Sequence, residues 1–446
     1  MHNKKLFFWA LTSALAGFLF GFDTIVISGA EQTFQVLWDL DSFMHGLATS
    51  AALWGTVLGS LLGGWPTEKF GRRKTLLSIG ILYFVSAVGS GIAPDEYFFM
   101  VSRFIGGLGV GVATVASPLY ISEISPAARR GHLAGLFQFN IVFGILIAFV
   151  SNFFIGRYMN QDIAWRWMLG VEAIPALLYS LFCFGLPESP RWLITHAGNR
   201  EAGIEVFRKI NPDMPEVELT ALADSIEQSM GDRKTAERFF TMRLKTPILL
   251  AFFIAFFNQL SGINAILYFA PRIFEWTGLA EQAALLQSVG IGFTNLIFTY
   301  IGLALIDRLG RRTLLYIGSF GYIASLGLCT WAFATETYVI VPACIFAFIA
   351  AHAVGQGAVI WVFISEIFPN RNRASGQAFG SFTHWFFAAS LTLVFPQMAA
   401  ALPPAAIFGF FCFMMVLQLV WVKFMVPETK GVPLEEMEGA IKKARS

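Results

Sequence analysis

Glu68-Lys69-Phe70-Gly71-Arg72-Arg73 returns 239 positions later as Asp307-Arg308-Leu309-Gly310-Arg311-Arg312. Each copy sets a carboxylate, a turn-forming glycine and two arginines between two apolar runs. Moving outward, Ser122-Glu123-Ile124-x-Pro126-x-x-x-Arg130 returns as Ser365-Glu366-Ile367-x-Pro369-x-x-x-Arg373 at an offset of 243, and Pro187-Glu188-Ser189 returns as Pro427-Glu428-Thr429 at an offset of 240. Three signals in one order at a near-constant spacing read as a duplicated unit.

The runs between these motifs are long enough to cross a bilayer, which takes about 20 apolar residues at 1.5 Å per residue. Twelve such runs lie near 7–30, 46–65, 75–93, 98–121, 133–155, 166–186, 247–270, 285–306, 313–334, 339–363, 375–398 and 403–426. Composition agrees: of 446 residues 56% are hydrophobic and 13% charged, against about 25% charged in a soluble domain. With 47 Phe and 12 Trp, more apolar surface is present than one core can hide, so much of it faces lipid. The fold expected is an all-α membrane protein, twelve transmembrane helices in two six-helix bundles. The bundles would occupy 1–186 and 246–426, joined by a charged cytoplasmic linker at 187–245 and followed by a cytoplasmic tail at 427–446. Within the linker, Arg200 to Ile210 and Val217 to Met230 have helical periodicity.

Orientation follows from the basic residues. With both termini cytoplasmic, the outward loops hold only Arg157, Arg166 and Arg272, Arg103 lies within a span, and the other 27 face inward. The apolar start beginning after Lys4 and Lys5 looks like a signal peptide, but Asp23 within the same run and the spans that follow argue against cleavage. Cys183, Cys329, Cys344 and Cys412 lie in apolar runs and read as small hydrophobes. Six His and four Cys make no metal-spaced or nucleophile-base cluster in the sequence, so an enzyme is not expected. Two repeated helical halves are instead the architecture of a secondary transporter, with its site near mid-membrane.

Two readings of the repeated loops stand side by side: topology anchors, or ion pairs among Arg72, Glu123, Arg130, Glu188 and their counterparts Arg311, Glu366, Arg373, Glu428 that latch the halves together. Asp23 is the most telling single residue, since a carboxylate within a span costs about 2.5–3.5 kcal/mol on insertion scales. Arg103 is its natural partner, either as a structural ion pair or as a coupling pair that a proton on Asp23 releases. Gln138, Asn258, Gln259, Asn264, Asn295, Gln356 and His384 put polar groups inside other spans, and amides suit a sugar because each offers donors and acceptors without charge. Gly262 falls between Gln259 and Asn264, which an unbroken helix would hold about 140° apart; local unwinding there would turn both inward. Phe20, Tyr268, Trp361 and Trp385 are candidates to stack on a pyranose ring.

Gly21-Phe22-Asp23-Thr24, Ile27-Ser28-Gly29, the paired Gly-Arg-Arg loops, Pro187-Glu188-Ser189-Pro190-Arg191-Trp192, Gln259-Leu260-Ser261-Gly262-Ile263-Asn264 and Pro427-Glu428-Thr429-Lys430-Gly431 together resemble the sugar porters of the major facilitator superfamily. The resemblance covers essentially the whole chain. It implies alternating access around a central monosaccharide, with Gln138, Gln259, Asn264, Asn295, Gly357 and Trp361 on the sugar and Tyr268 at the outer gate. It also implies proton coupling by Asp23 with Arg103, Glu172 participating. Asn258 departs from the first of two Gln usual in relatives. Ile145 departs from a further Gln of the xylose carrier, and His384 from a Gln or Asn beside Trp385. The function expected is proton-linked import of a pentose or hexose through a bacterial inner or plasma membrane, by a monomer without a cofactor. Its partners would be sugar, protons and lipid, with no nucleic acid. A passive sugar uniporter and a non-transporting sugar sensor are the rivals.

Overall fold

The computed structural model describes residues 4–126, 130–231, 239–369 and 372–431, and every regular element among them is helical. Eleven helical segments are long and apolar enough to span a membrane: Lys4–Gly29, Arg72–Ile92, Glu96–Ile124, Gly135–Tyr158, Gln161–Cys183, Met242–Tyr268, Glu281–Leu309, Arg311–Ala334, Tyr338–Ile367, Arg373–Ala401 and Pro404–Met425. A further helix, Ser42–Leu62, completes the twelve. Its own composition is less apolar because His45, Thr49, Ser50, Thr56 and Ser60 lie along it, and all five are buried. The spans are numbered one to twelve in chain order. Leu181, Ile297, Phe413 and Phe424 stay exposed on span surfaces, an arrangement suited to hydrocarbon and costly in water.

Three spans are broken where the sequence gives a reason or packing imposes one. In span six the helix stops at Gly170 and resumes at Ala173, because Pro175 carries no amide hydrogen for the Val171 carbonyl; Glu172 sits in the break. In span seven, Gly262 adopts φ +89, and a Cβ there would meet the Phe411 ring at 2.6 Å, so glycine alone satisfies both backbone and packing. In span ten, Ala353–Gly357 widens into a π-helix. Between spans six and seven, Arg200–Ile210 and Glu216–Gly231 form the two helices expected there, the first capped by Asn199 Oδ1 accepting from the Ala202 amide at 3.1 Å. Cys183, Cys329 and Cys344 are buried as expected, whereas Cys412 is only partly so.

The duplicated motif builds one knot twice. Gly71 and Gly310 have φ of +92 and +90 and start the helices at Arg72 and Arg311. Arg72 Nε and Nη2 donate to Glu123 at 2.9 and 2.8 Å, and Arg311 donates by the same two nitrogens to Glu366 at 3.0 and 2.6 Å. Glu188 and Glu428 face the new helix ends: their carboxylates accept from the Arg72 and Arg311 backbone amides at 2.8 and 2.9 Å, then from Arg73 and Arg312. This is anion capping of a helix N-terminus. Burial pushes the Glu188 carboxyl above its ordinary range, against the pull of the Ser189, Arg73 and Arg72 amides.

The knots correct one expectation. Both guanidinium-carboxylate pairs join helices of the same half rather than latching one half to the other, and Glu188 and Glu428 cap backbone. Arg373 opens span eleven; the Arg130 side chain lies outside the described residues.

Two compact units emerge from the packing. One comprises 1–24, 55–145 and 169–236; the other comprises 25–54, 146–168 and 237–446. The grouping cuts across the linear halves, since ends of spans one, two, five and six pack within the second unit.

Candidate functional site

In the first unit the apolar spans bury a cluster of ionisable groups. Arg103, on span four, is wholly buried and donates through Nη1 to Asp23 Oδ1 at 2.7 Å and through Nη2 to the Asp23 carbonyl at 2.7 Å. The second bond serves a carbonyl in the last turn of the regular helix Lys4–Val26, where intrahelical partners run out. Glu172, in the break of span six, is equally buried and lies within electrostatic reach of both Asp23 and Arg103. Neither Glu172 oxygen nor Asp23 Oδ2 meets a hydrogen-bond donor among the described residues. Two carboxylates thus lie around one guanidinium. Phe20 is buried one turn before Asp23, and Gln138 is half-buried on span five of the same unit.

In the second unit the buried polar groups around the Gly262 turn are neutral. The turn at Gly262 does what the sequence suggests: Asn264 Nδ2 donates to Gln259 Oε1 at 2.7 Å across the break. Gln259 Nε2 donates to Asn258 Oδ1 at 2.9 Å and lies 3.2 to 3.3 Å from the His384 ring nitrogens. His384 sits between two indoles, 5.0 Å from Trp361 and 4.8 Å from Trp385 by ring centroids. Asn258 Nδ2 reaches Gln356 Oε1 at 3.4 Å, and Gln356 belongs to the π-helical turn that ends at Gly357. Buried amides, indoles and an imidazole thus converge from spans seven, ten and eleven. They form a surface that can donate to and accept from hydroxyls and stack against an apolar face. Asn295, on span eight, accepts from Thr299 Oγ1 at 3.3 Å, and Tyr268 is buried at the end of span seven.

A family model described as "Sugar (and other) transporter" matches residues 9–440. The chain belongs to this family of sugar transporters. Its relatives include the D-xylose-proton symporter of Escherichia coli, 34% identical over 98% of this chain and 96% of that one. Another is the arabinose-proton symporter of Bacillus subtilis, 33% identical over 96% and 93%. Among solved structures, the inward-open xylose transporter XylE from E. coli matches with a TM-score of 0.86 at 32% identity, covering 97% of this chain and 99% of that one. XylE bound to 6-bromo-6-deoxy-D-glucose matches at 0.81, also at 32% identity, over 98% and 99%. The major facilitator fold expected from the sequence is therefore the fold of this transporter, and its family are carriers, not enzymes.

The transporter also holds a polar cluster that the sequence reading passed over. Glu31, fully buried just after span one, accepts from Arg272 Nε at 2.9 Å and Nη2 at 2.7 Å. His45 Nε2 lies 2.8 Å from Glu31 Oε2, the oxygen that also accepts from Arg272 Nη2. Arg272 Nη2 also reaches Gln35 Oε1 at 2.6 Å, and nearby Gln161 donates to Glu281 at 2.9 Å. All of these lie in the second unit, at the opposite end of span eight from Arg311. Burial works against the charge on Glu31, yet the Arg272 guanidinium and the His45 contact hold its carboxyl below the ordinary range. Polar residues at span ends are commonplace in sequence. The only available hint was Arg272, one of three basic residues assigned outward.

Proposed function

We propose that the chain is a monosaccharide:proton symporter that imports a pentose or hexose by alternating access. The observation that carries this reading is the buried cluster in which two carboxylates, Asp23 and Glu172, share one guanidinium, that of Arg103. Groups of this kind deep in a membrane serve pathways and proton relays, and two carboxylates beside one guanidinium give a proton a place to bind. Protonation of Asp23 weakens its hold on Arg103, which frees span one against span four. The symport named for the E. coli and B. subtilis relatives supports the assignment. The driving force suffices: one charge through 100 mV yields about 2.3 kcal/mol and one pH unit about 1.4, together enough for accumulation of several hundred-fold.

Gln259, Asn264, Asn258, Gly357, Trp361, His384 and Trp385 would bind the sugar, with Gln138, Asn295 and Phe20 as further contacts and Tyr268 at the outer gate. The sequence divides into bundles at 1–186 and 246–426, with the linker at 187–245 and the tail at 427–446. Both termini would face the cytoplasm of a bacterial inner or plasma membrane, and the carrier would work as a monomer. In this orientation Glu31, His45 and Arg272 lie at the outer end, so admitting sugar requires their bridge to open. The knots around Arg72, Glu123 and Glu188, and around Arg311, Glu366 and Glu428, would brace the inner ends of each half.

Proteoliposomes with an imposed inward proton gradient test the reading. Radiolabelled sugar should accumulate, and a protonophore should return the internal level to that outside. Accumulation that ignores the protonophore, or equilibration alone in its absence, would reject symport.

A further inference from the structure

A run of five hydrogen bonds threads the second unit, and every link points one way. Asn264 Nδ2 donates to Gln259 Oε1 (2.7 Å), Gln259 Nε2 to Asn258 Oδ1 (2.9 Å), Asn258 Nδ2 to Gln356 Oε1 (3.4 Å), Gln356 Nε2 to Gln418 Oε1 (2.8 Å) and Gln418 Nε2 to Ser319 Oγ (2.8 Å). The chain begins at the turn of span seven and ends on spans twelve and nine, where Gln418 and Ser319 are completely buried.

A primary amide is two-faced, since it can turn either C=O or NH2 toward a given neighbour. In a directional chain that freedom is lost. Turning over one amide would set C=O against C=O at one junction and NH2 against NH2 at the other, in a site without water-like screening where unmet polar groups are costly. The orientations of Gln259, Asn258 and Gln356 are therefore tied to that of Gln418. Its carbonyl is the acceptor that keeps the Gln356 NH2 pointing away from Asn258. Gln418 lies within an otherwise apolar stretch, Phe413-Met414-Met415-Val416-Leu417 before it and Leu419-Val420-Trp421 after it, so packing alone does not account for an amide there.

We propose that Gln418 and Ser319 are positioning residues for sugar selection. Gln418, held in place by Ser319, ties together whether the sugar-facing amides present a donor or an acceptor to a ring hydroxyl, and so which of two epimers is preferred. The inference rests on the reading of Gln259 and Asn264 as sugar contacts. An equatorial and an axial hydroxyl approach the same amide from different directions, and a site built for one geometry leaves buried groups unmet with the other.

The test is uptake by the full-length carrier in proteoliposomes, measured as kcat/KM for two C4-epimer pairs, D-xylose with L-arabinose and D-glucose with D-galactose. Gln418→Met keeps length but removes both polar groups; it should move the epimer ratio of whichever pair is transported by about tenfold, the cost of one misplaced buried hydrogen bond. The change should fall mainly on KM. Ser319→Ala should move the ratio about threefold in the same direction, because Gln418 loses only its last partner. Gln418→Glu still accepts from Gln356 and still bonds Ser319, and should keep the wild-type ratio. The proposal is overturned if Gln418→Met lowers both epimers equally or leaves the ratio unmoved, or if Gln418→Glu shifts it as far as Gln418→Met. If the unaltered chain takes up none of the four sugars, the sugar-binding reading itself fails and this proposal falls with it. An unmoved ratio in a carrier that does transport fails this proposal alone.

Discussion

Asp23, Arg103 and Glu172 in the first half and Gln259, Asn264 and Gln356 in the second belong to the two copies of one duplicated six-span unit, and both groups are buried among apolar spans. One group is ionic and the other neutral. The knots show how little the copies have drifted elsewhere, with matching guanidinium-carboxylate distances that agree within 0.2 Å. The two halves thus match at these knots and differ in the membrane interior, where binding a proton and binding a sugar make different physical demands. A carboxylate and a guanidinium change their interaction when a proton arrives and respond to a membrane potential. Amides do neither, but they read the positions of hydroxyls. Separating the two keeps a sugar from having to compete with a charge for its hydrogen bonds.

The contrast can be broken at its ionic end. Arg103→Leu strands two buried carboxylates, so it should cost about 3–5 kcal/mol, the penalty for removing one partner of a buried pair. A thermal melt of the purified carrier should show this as a large fall in Tm, with transport abolished. A melt within a degree of wild type would mean that the cluster reaches solvent. At the neutral end, Gln259→Leu removes the amide shared by Asn264, Asn258 and His384. It should raise the half-saturation for sugar about 10- to 100-fold, worth roughly 1.4–3 kcal/mol, while leaving the dependence of uptake on the proton gradient unchanged. Loss of coupling in this variant would show that the two regions are not separate.

Gly262→Ala probes the turn that brings Gln259 and Asn264 together. A Cβ 2.6 Å from the Phe411 ring at φ +89 should cost about 1–3 kcal/mol and raise the sugar half-saturation severalfold in the same uptake assay. An unaffected variant would show that the break tolerates a side chain.

The smallest effect expected is a pH response at Glu31, a buried carboxylate just after span one. The Glu31 carboxyl is held below its ordinary 4.5. Its contribution is therefore fully present above pH 4.5 and fades only as pH falls through the lower folded-state value. Amide hydrogen exchange over Glu31–Leu37, corrected for intrinsic rate, should accordingly show constant protection from pH 7 to about 5. Arg272→Gln should raise exchange across that window.

Much of this organisation is written locally. Twelve apolar runs and Gly262 between two amides are patterns within short windows, and each became a structural element at its expected place; the three motifs that occur twice mark the duplication. Asp23 and Arg103, 80 positions apart, could be paired because so few charges lie within spans. What the sequence hid is relational. Nothing in the composition of Arg72 or Glu123 says that their pairs close within a half, because helix neighbours are set by tertiary packing. The π-helix at Ala353–Gly357 has no local signature either, although it belongs to the segment carrying Gln356 and Gly357. Gln418 meets the same criterion as Gln356, an amide in an apolar run; Glu31 and His45 stand at span ends, where polar residues are common.

The central claim is that the charge on Asp23 converts a proton gradient into sugar accumulation. Asp23→Asn in proteoliposomes, compared with wild type for gradient-driven uptake and for exchange of labelled against unlabelled sugar, addresses it directly. The account predicts that accumulation falls from several hundred-fold to unity while exchange continues. Accumulation that persists in Asp23→Asn and still collapses with a protonophore would contradict it.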